Sequence, residues 1–598
     1  MKNLIFKKYL IFALLFLSIL VSYAYVLNGD FIGDDVDRIN FNHQLGSYKE
    51  VITGILADRP LLMLYVATIY QAFGMNSTMF HFFSYVLHAF VAYQLFLLLT
   101  ELIGKKLTNE NKSVPVFMAF LFALHPLNSQ AVTTSIQAGV LFSGIFGILS
   151  IRYFFKYLEA QSNTNFWLSI FFFLVGVLAK PNIFFIPFFF FFGFHMLYRI
   201  KEREWTFLGL TAAVLTIPMG YYFILGQNQQ THELNPIQYF LVQTQVVFTY
   251  FKLMILPYGL KFLYDFSVPK NIFWNWNLLY LLGHIVLFFG VYRKLPSKLT
   301  QLMWVGFYLT FLPESSFFSI NHTAFEHRTY FSLIFLFLLL GLLISEKLNE
   351  VRKPIFQLVT SFILVIFVLV NQSRNLEIKR WGDWAVHTLQ NSTQYTYTSF
   401  MLSFYLLRAG HFDEVGPILE NYKKIGLVAH DMDILDDIFG YYKNPEKRAE
   451  YFTKFSDLML KRELVPYSRF TLSKIFLDDF SNVENDLPKA ADAAYVLAKQ
   501  LRIYVRLQDQ YFTSIFGFFV VANRLLVDEY RNEFKKYDMY KYVVVKLALY
   551  LYYNKEYPEL GEELQAAIKN AKSEFDKEDL TFMYDQYEKK RKSLEKTI

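Results

Sequence analysis

Two adjacent carboxylates, Asp34 and Asp35, follow Gly33 in the stretch Phe31–Asp37, just beyond the first apolar run, Tyr9–Val26. A carboxylate held at a membrane surface can accept the proton of a hydroxyl, a poor nucleophile at neutral pH without a base in hydrogen-bond reach. A solvated acidic loop is the plainer reading of the same residues. Three cations, Arg59, Lys180 and Arg328, form a second set. Arg forks onto phosphate bidentately and Lys meets it as a point charge, so this set suits the phosphate of an amphiphilic substrate. His81, His88, His125, Glu326 and His327 make a third set, as groups that line or brace a cavity. Each has a structural alternative. His81 and His88 lie seven apart on one helix face and suit buried, hydrogen-bonded histidines equally well. His125-Pro126 and Lys180-Pro181 have the form of helix-stop turns; Arg328 suits snorkelling, with Glu326 as its neutralising partner. Three histidines and two aspartates offer metal ligands, but no HExxH-type spacing supports them. No cofactor is expected, a metal ion being the disfavoured alternative.

The elements that must position these residues are helices in a bilayer. Of 598 residues, 54% are hydrophobic and 19% aromatic, with 67 Phe and 42 Tyr, too apolar for a purely soluble chain. Cysteine is absent, which excludes disulfides and thiolate metal sites. The net charge of +7 comes without a basic stripe interleaved with aromatics, which argues against nucleic acid as a partner. Lys2, Lys7 and Lys8 precede the first apolar run in signal-peptide fashion, but no convincing cleavage pattern follows, so it reads as a retained helix with a cytoplasmic N-terminus. Further spans fall near 79–101, 114–124, 131–151, 166–179, 182–198, 205–225, 272–292, 300–312, 329–345 and 354–371. With the first, that is about eleven crossings. Basic clusters around Lys105, Arg152, Arg199, Arg293 and Arg352 all fall on the N-terminal side under simple alternation, which makes that side cytoplasmic. Asp34 and Asp35, His125, Lys180 and the loops 226–271 and 313–328 then face outward. Leu61–Phe73 is too short to cross, and counting Tyr239–Leu256 as a crossing reverses the charges after it; both read as helices at the outer surface.

Beyond about residue 395 charges become frequent and apolar residues recur at helical spacing. Phe404–Glu414 reads helix, turn, helix, and Ala548–Ile568 repeats that shape, with an aromatic after each turn packing back on the first helix. Stacked helix pairs of tetratricopeptide type and an irregular helical domain are both open. Tyr511–Val521 is apolar but too short to span and reads as a buried helix. The fold class expected is therefore all-α: a polytopic membrane domain over 1–375, a linker over 376–394 and an extracytoplasmic α-helical, TPR-like domain over 395–598.

An ordered set of motifs resembles one family. It comprises Phe31–Asn40, Arg59-Pro60-Leu61, Phe80-His81 with Leu87-His88, and His125-Pro126-Leu127-Asn128-Ser129-Gln130-Ala131-Val132. Leu178-Ala179-Lys180-Pro181, Tyr250–Phe266, Phe311-Leu312-Pro313, Glu326-His327-Arg328-Thr329-Tyr330 and Ser373-Arg374-Asn375 before Trp381 continue it. In this order they resemble GT-C glycosyltransferases, in particular the transmembrane and tetratricopeptide-repeat-containing protein O-mannosyltransferases and their bacterial relatives. The chain departs from that pattern in its sparse repeat consensus and at Gln137-Ala138-Gly139, where relatives commonly carry an Arg. The resemblance implies transfer of a single, mannose-like sugar from a polyprenyl-phosphate donor to a Ser or Thr hydroxyl of an exported protein, by inverting displacement. It implies Asp35 or Asp34 as base, with Asp35 preferred, and Arg59, Lys180 and Arg328 around the leaving phosphate. His81, His88, His125, Glu326 and His327 would support the cavity. Membrane lipid and an exported protein docked on the helical domain are the implied partners, and the bacterial inner membrane is the expected location. The alternatives are transfer to a lipid or cell-envelope glycan and, from a different class, a transporter.

Overall fold

The computed structural model describes residues 2–35, 59–104, 112–198, 235–262, 274–317, 323–348, 352–390, 397–424, 432–448 and 559–570 continuously, and scattered residues elsewhere. Among the described residues every regular element is helical. The chain divides into two compact units, Met1–Thr393 and Gln394–Ile598. The first contains α1 (Lys2–Ser22), α2 (Pro60–Phe73), α3 (Ser77–Ile103), α4 (Ser113–Leu124), α5 (Ala138–Ala160), α6 (Asn163–Ala179) and α7 (Ile186–Leu197). It continues with α8 (Pro236–Ile255), α9 (Asn277–Tyr292), α10 (Lys298–Leu309), α11 (Tyr330–Lys347), α12 (Lys353–Ile378) and α13 (Trp381–Gln390).

Among the described residues four helices are long and apolar enough to cross a membrane: Ser77–Ile103, Ser135–Ala160, Glu326–Lys347 and Lys353–Ile378. A fifth arises if Ser113–Leu124 and Pro126–Thr133, bent by 49°, count as one span. That is fewer than the eleven expected: Pro126 and Pro181 interrupt two of the apolar runs, and several others form helices of 10–17 residues, among them Asn163–Ala179 and Asn277–Tyr292. The expected span 131–151 begins later, because residues 126–137 form a five-residue helix between two 3-10 turns and α5 follows. The expected span 205–225 lies outside the described residues. Residues 376–394, expected as a linker, carry the end of α12 and all of α13, whose Trp384 is buried.

The lateral surface reads directly from helical periodicity. In α12, Thr360, Phe367, Asn371, Arg374 and Ile378 are buried along one stripe, whereas Ile355, Leu358, Val359, Phe362, Val365 and Leu369 are exposed. An apolar exposed face opposite a polar buried seam is what a bilayer, rather than water, selects. The seam binds the two ends of the unit: Asn371 Nδ2 donates to Ser22 Oγ at 2.9 Å and Leu124 O at 2.8 Å, and Asn375 Nδ2 donates to Ser22 O at 2.9 Å. Around it, α5 packs along α6 and α3, α4 against α3 and α11, and α10 against α11 and α7.

In the second unit α14 (Tyr397–Arg408) and α15 (Phe412–Lys424) are joined by a turn in which Gly410 has φ 87°, and α16 (Met432–Lys443) packs on both. Leu406, Leu407, Val415, Leu419, Leu435 and Ile438 fill the space between them. The ring of Phe412, expected to pack back on the first helix, meets Phe439 of α16. One helix–turn–helix is thus present; Tyr511–Val521 and most of the second expected pair lie outside the described residues.

Close helix packing in an apolar solvent depends on small residues. A Cβ on Gly306 of α10 would stand 2.3 Å from Cε1 of Phe335 and 3.0 Å from Cδ2 of Phe189. Gly306→Ala is therefore expected to destabilise the detergent-solubilised protein by about 1–3 kcal/mol, read as a lower unfolding temperature. Gly290→Ala, with nothing within 4 Å of the new methyl, serves as the control and should leave that temperature unchanged or slightly raised.

Candidate functional site

Three of the residues singled out from sequence stand immediately before a proline: Arg59, His125 and Lys180. Proline bars the preceding residue from helical geometry and removes a backbone donor. His125 (ψ 122°) ends α4, and Lys180 (φ −160°, ψ 133°) ends α6, both in extended backbone. Arg59 caps α2 in the left-handed region (φ 45°, ψ 64°), where an L side chain is strained by about 1–3 kcal/mol. Each break turns a polar side chain out of an apolar run.

Asp34 and Asp35 have different environments. Asp35 is fully buried, and its two oxygens are both occupied: Oδ1 accepts the Ile136 N–H at 2.6 Å and Oδ2 the Ser135 N–H at 2.8 Å. These N–H groups head the 3-10 turn that leads into α5, where no intrahelical acceptor exists and a negative charge is favoured. Burial pushes the Asp35 carboxyl up to about 7, against the two N–H bonds that lower it. Asp34, the next residue back, is exposed. The turn before them uses Gly33 at φ 56°, with the Trp384 ring 3.7 Å from where a Cβ would stand.

The cations converge. Lys180 Nζ lies 3.6 Å from Glu314 Oε1, donates to Gln137 Oε1 at 3.4 Å, and is close enough to Arg59, Arg328 and Asp34 to feel their charges. Burial lowers the Lys180 ammonium to about 8, with Glu314 opposing that shift. Arg328 donates from Nη1 to Thr323 O at 3.0 Å and lies over the Phe325 ring. Tyr239 and Tyr250 of α8 fix this wall: Tyr239 O–H donates to Glu314 O at 2.8 Å and Tyr250 O–H to Phe325 O at 2.9 Å. Gln130 Oε1 accepts both the backbone N–H and Nδ1–H of His327, at 3.1 and 3.2 Å.

Glu326 does not neutralise Arg328, as sequence suggested. Its carboxylate pairs with Arg374 of α12 (Nη2–Oε2 2.5 Å), and Oε1 also accepts from Tyr264 O–H at 2.6 Å and Lys261 N–H at 2.8 Å. Both partners are buried, so the pair ties the start of α11 to α12 and to the loop after α8. The histidines are braces. His88 Nε2–H donates to Ala123 O at 3.0 Å while Nδ1 accepts the Tyr330 O–H at 2.7 Å. His125 Nε2–H donates to Met254 O at 3.0 Å while Nδ1 accepts the Leu127 N–H at 3.2 Å. His81 Nδ1 approaches Leu27 O at 3.4 Å, and its Nε2 is buried without a hydrogen-bond partner. Among the described residues no three His, Asp or Glu side chains gather as a metal site.

The fold thus brings Asp34, Asp35, Arg59, Lys180, Arg328 and His327 to one level, sets Glu326 in an adjoining ion pair, and places His88 and His125 within the bundle. Glu314 escaped sequence reasoning although it directly follows Phe311-Leu312-Pro313; a carboxylate next to proline in an outward loop was the available signal. Chemically, the cluster can bind a phosphate-like anion beside one exposed carboxylate.

Removing one partner of a buried ion pair strands the other charge. Glu326→Gln and Arg374→Met are each expected to lower stability by about 3–5 kcal/mol. Because the two defects are one, the double variant should lose far less than the sum; strict additivity in detergent unfolding would show that the pair is not coupled.

Comparison with protein-family models, with curated proteins and with solved structures finds no match to this chain.

Proposed function

We propose that the chain is a membrane glycosyltransferase of GT-C type, with the shorter apolar helices adding crossings toward the eleven or so expected. In this reading it moves one sugar from a polyprenyl-phosphate donor to the hydroxyl of an exported protein, on the extracytoplasmic face of a bacterial inner membrane. The observation that carries the reading is one exposed carboxylate, Asp34, within electrostatic reach of Lys180 and its neighbours Arg59 and Arg328, at the end of an apolar bundle. Phosphate is a good leaving group and needs no general acid, so preplaced cations and a single base suffice for an in-line, inverting displacement.

The roles within the acidic pair follow from geometry. A base must be reachable by the acceptor hydroxyl; Asp35 is fully buried and each of its oxygens already accepts one backbone N–H, whereas Asp34 is exposed, so the preference for Asp35 passes to Asp34. Asp35 becomes the positioning residue that fixes its neighbour against α5. Lys180, Arg59 and Arg328 hold the donor phosphate, and the tetratricopeptide-like unit presents the acceptor.

Asp34→Asn is expected to abolish transfer from labelled donor in membranes while leaving the unfolding temperature near that of the parent. Asp35→Asn should reduce both, because its amide turns an N–H₂ toward a backbone N–H, a loss of about 1–3 kcal/mol. Full transfer by Asp34→Asn would falsify the base assignment.

The pH dependence has a definite sign. Below about 7 the Asp35 carboxyl binds a proton and its two N–H bonds lose the charge that strengthens them; above that value both meet a carboxylate. Transfer by the parent enzyme is expected to rise with pH through about 7 and to fall again above about 8, as Lys180 loses the proton that lets it hold phosphate. A rate that is flat between pH 5 and 8 would separate Asp35 ionisation from turnover.

A further inference from the structure

Glu314 has no part in the displacement just described, yet it stands inside the cationic cluster. Its Oε1 is 3.6 Å from Lys180 Nζ, which also donates to the neutral Gln137 Oε1 at 3.4 Å. Glu314 is also close enough to Arg328 to act on its charge. The backbone of Glu314 is pinned, with Tyr239 O–H bound to its carbonyl and Ser315 N–H to Phe311 O at 2.8 Å. The side chain alone is left to move, and at 20% exposure against 7% for Lys180 it has a path to water. A carboxylate in contact with a buried ammonium, on a fixed backbone with a solvent exit, competes with any other anion that needs that ammonium.

We propose that Glu314 is an exchangeable counter-ion, displaced from Lys180 by the phosphate of an isoprenyl lipid, and that it sets how weakly the site retains the phosphate monoester product. The proposal rests on the assignment of Lys180 to phosphate binding. Charge supports the second part. A phosphodiester donor carries a single negative charge. The monoester product carries roughly −1.5 to −2 at neutral pH, so Glu314 repels the product more than the donor.

The test is direct binding to the full-length, detergent-purified protein, read by calorimetry with farnesyl phosphate, a fifteen-carbon isoprenyl monophosphate, and farnesol as the uncharged control. Glu314→Gln is expected to tighten farnesyl phosphate binding by about fivefold or more without changing farnesol binding. Lys180→Gln should weaken it, and adding Glu314→Gln to Lys180→Gln should restore nothing, since the competition then has no object. Glu314→Asp, which keeps the charge on a shorter stem, should give a smaller gain and guards against a folding defect in the neutral variant. Unchanged or weaker binding by both Glu314 variants overturns the proposal, as does a gain that persists without Lys180 or a failure of every variant to bind the phosphate. Tighter binding by Glu314→Gln alongside full sugar transfer by Asp34→Asn would keep the counter-ion and remove the transferase mechanism. Unchanged binding alongside an inactive Asp34→Asn would do the reverse.

Discussion

The two hydrogen bonds from Ser135 and Ile136 to the Asp35 carboxylate join residues a hundred positions apart, and the rest of the polar layer depends on them. The N-terminus of a helix in an apolar bundle has donors that cannot be left bare. Here they are met by a carboxylate from the loop after α1. That choice fixes the loop and leaves Asp34 as the exposed member of the pair. It also sets the start of α5, from which Gln137 reaches Lys180. Deleting the carboxylate would therefore disturb the loop, the helix start and the cation cluster together.

A second constraint is that charge near hydrocarbon must be balanced locally. The site solves this twice with different consequences. Glu326 and Arg374 are both buried and bonded on several sides, so their pair acts as a rigid tie. Lys180 and Glu314 are fewer in partners and more open, so theirs is an exchangeable contact. The difference lies in the number of additional donors around each carboxylate. Tyr264 and the Lys261 N–H complete Glu326, whereas the Glu314 carboxylate meets the Lys180 ammonium at 3.6 Å.

Much of the cluster is legible in the sequence because charge is rare in apolar runs: Asp34, Asp35, Arg59, Lys180 and Arg328 stand out for that reason alone, and the charges of Asp34, Arg59 and Arg328 all reach Lys180. The division of labour within Asp34-Asp35 is not legible, because it is decided by backbone N–H groups that every residue carries. The same holds for His88 and His125, whose partners Ala123 O and Met254 O are backbone carbonyls. Arg374 stood out only as part of a motif, and nothing in its local sequence names Glu326. Helix type and the position of the compositional change near residue 395 follow from periodicity. Span lengths are less legible, because whether a proline ends a helix or merely bends it depends on the neighbours that satisfy the freed backbone groups.

The seam between Ser22 and Asn371 and Asn375 has a bearing on biogenesis. Its partners are separated by about 350 residues, so at a synthesis rate of about 5–20 residues per second the end of α1 waits roughly 20–70 s for its counterpart. During that interval Ser22 faces either lipid or other, provisional partners. The bundle is closed by its last long helix, and the acidic loop, already held through Asp35, gains a second tie when Asp30 meets the backbone of Lys379 and Trp381. Premature truncation before α12 would thus yield a chain that lacks the last ties between α1, the loop after it and the rest of the unit.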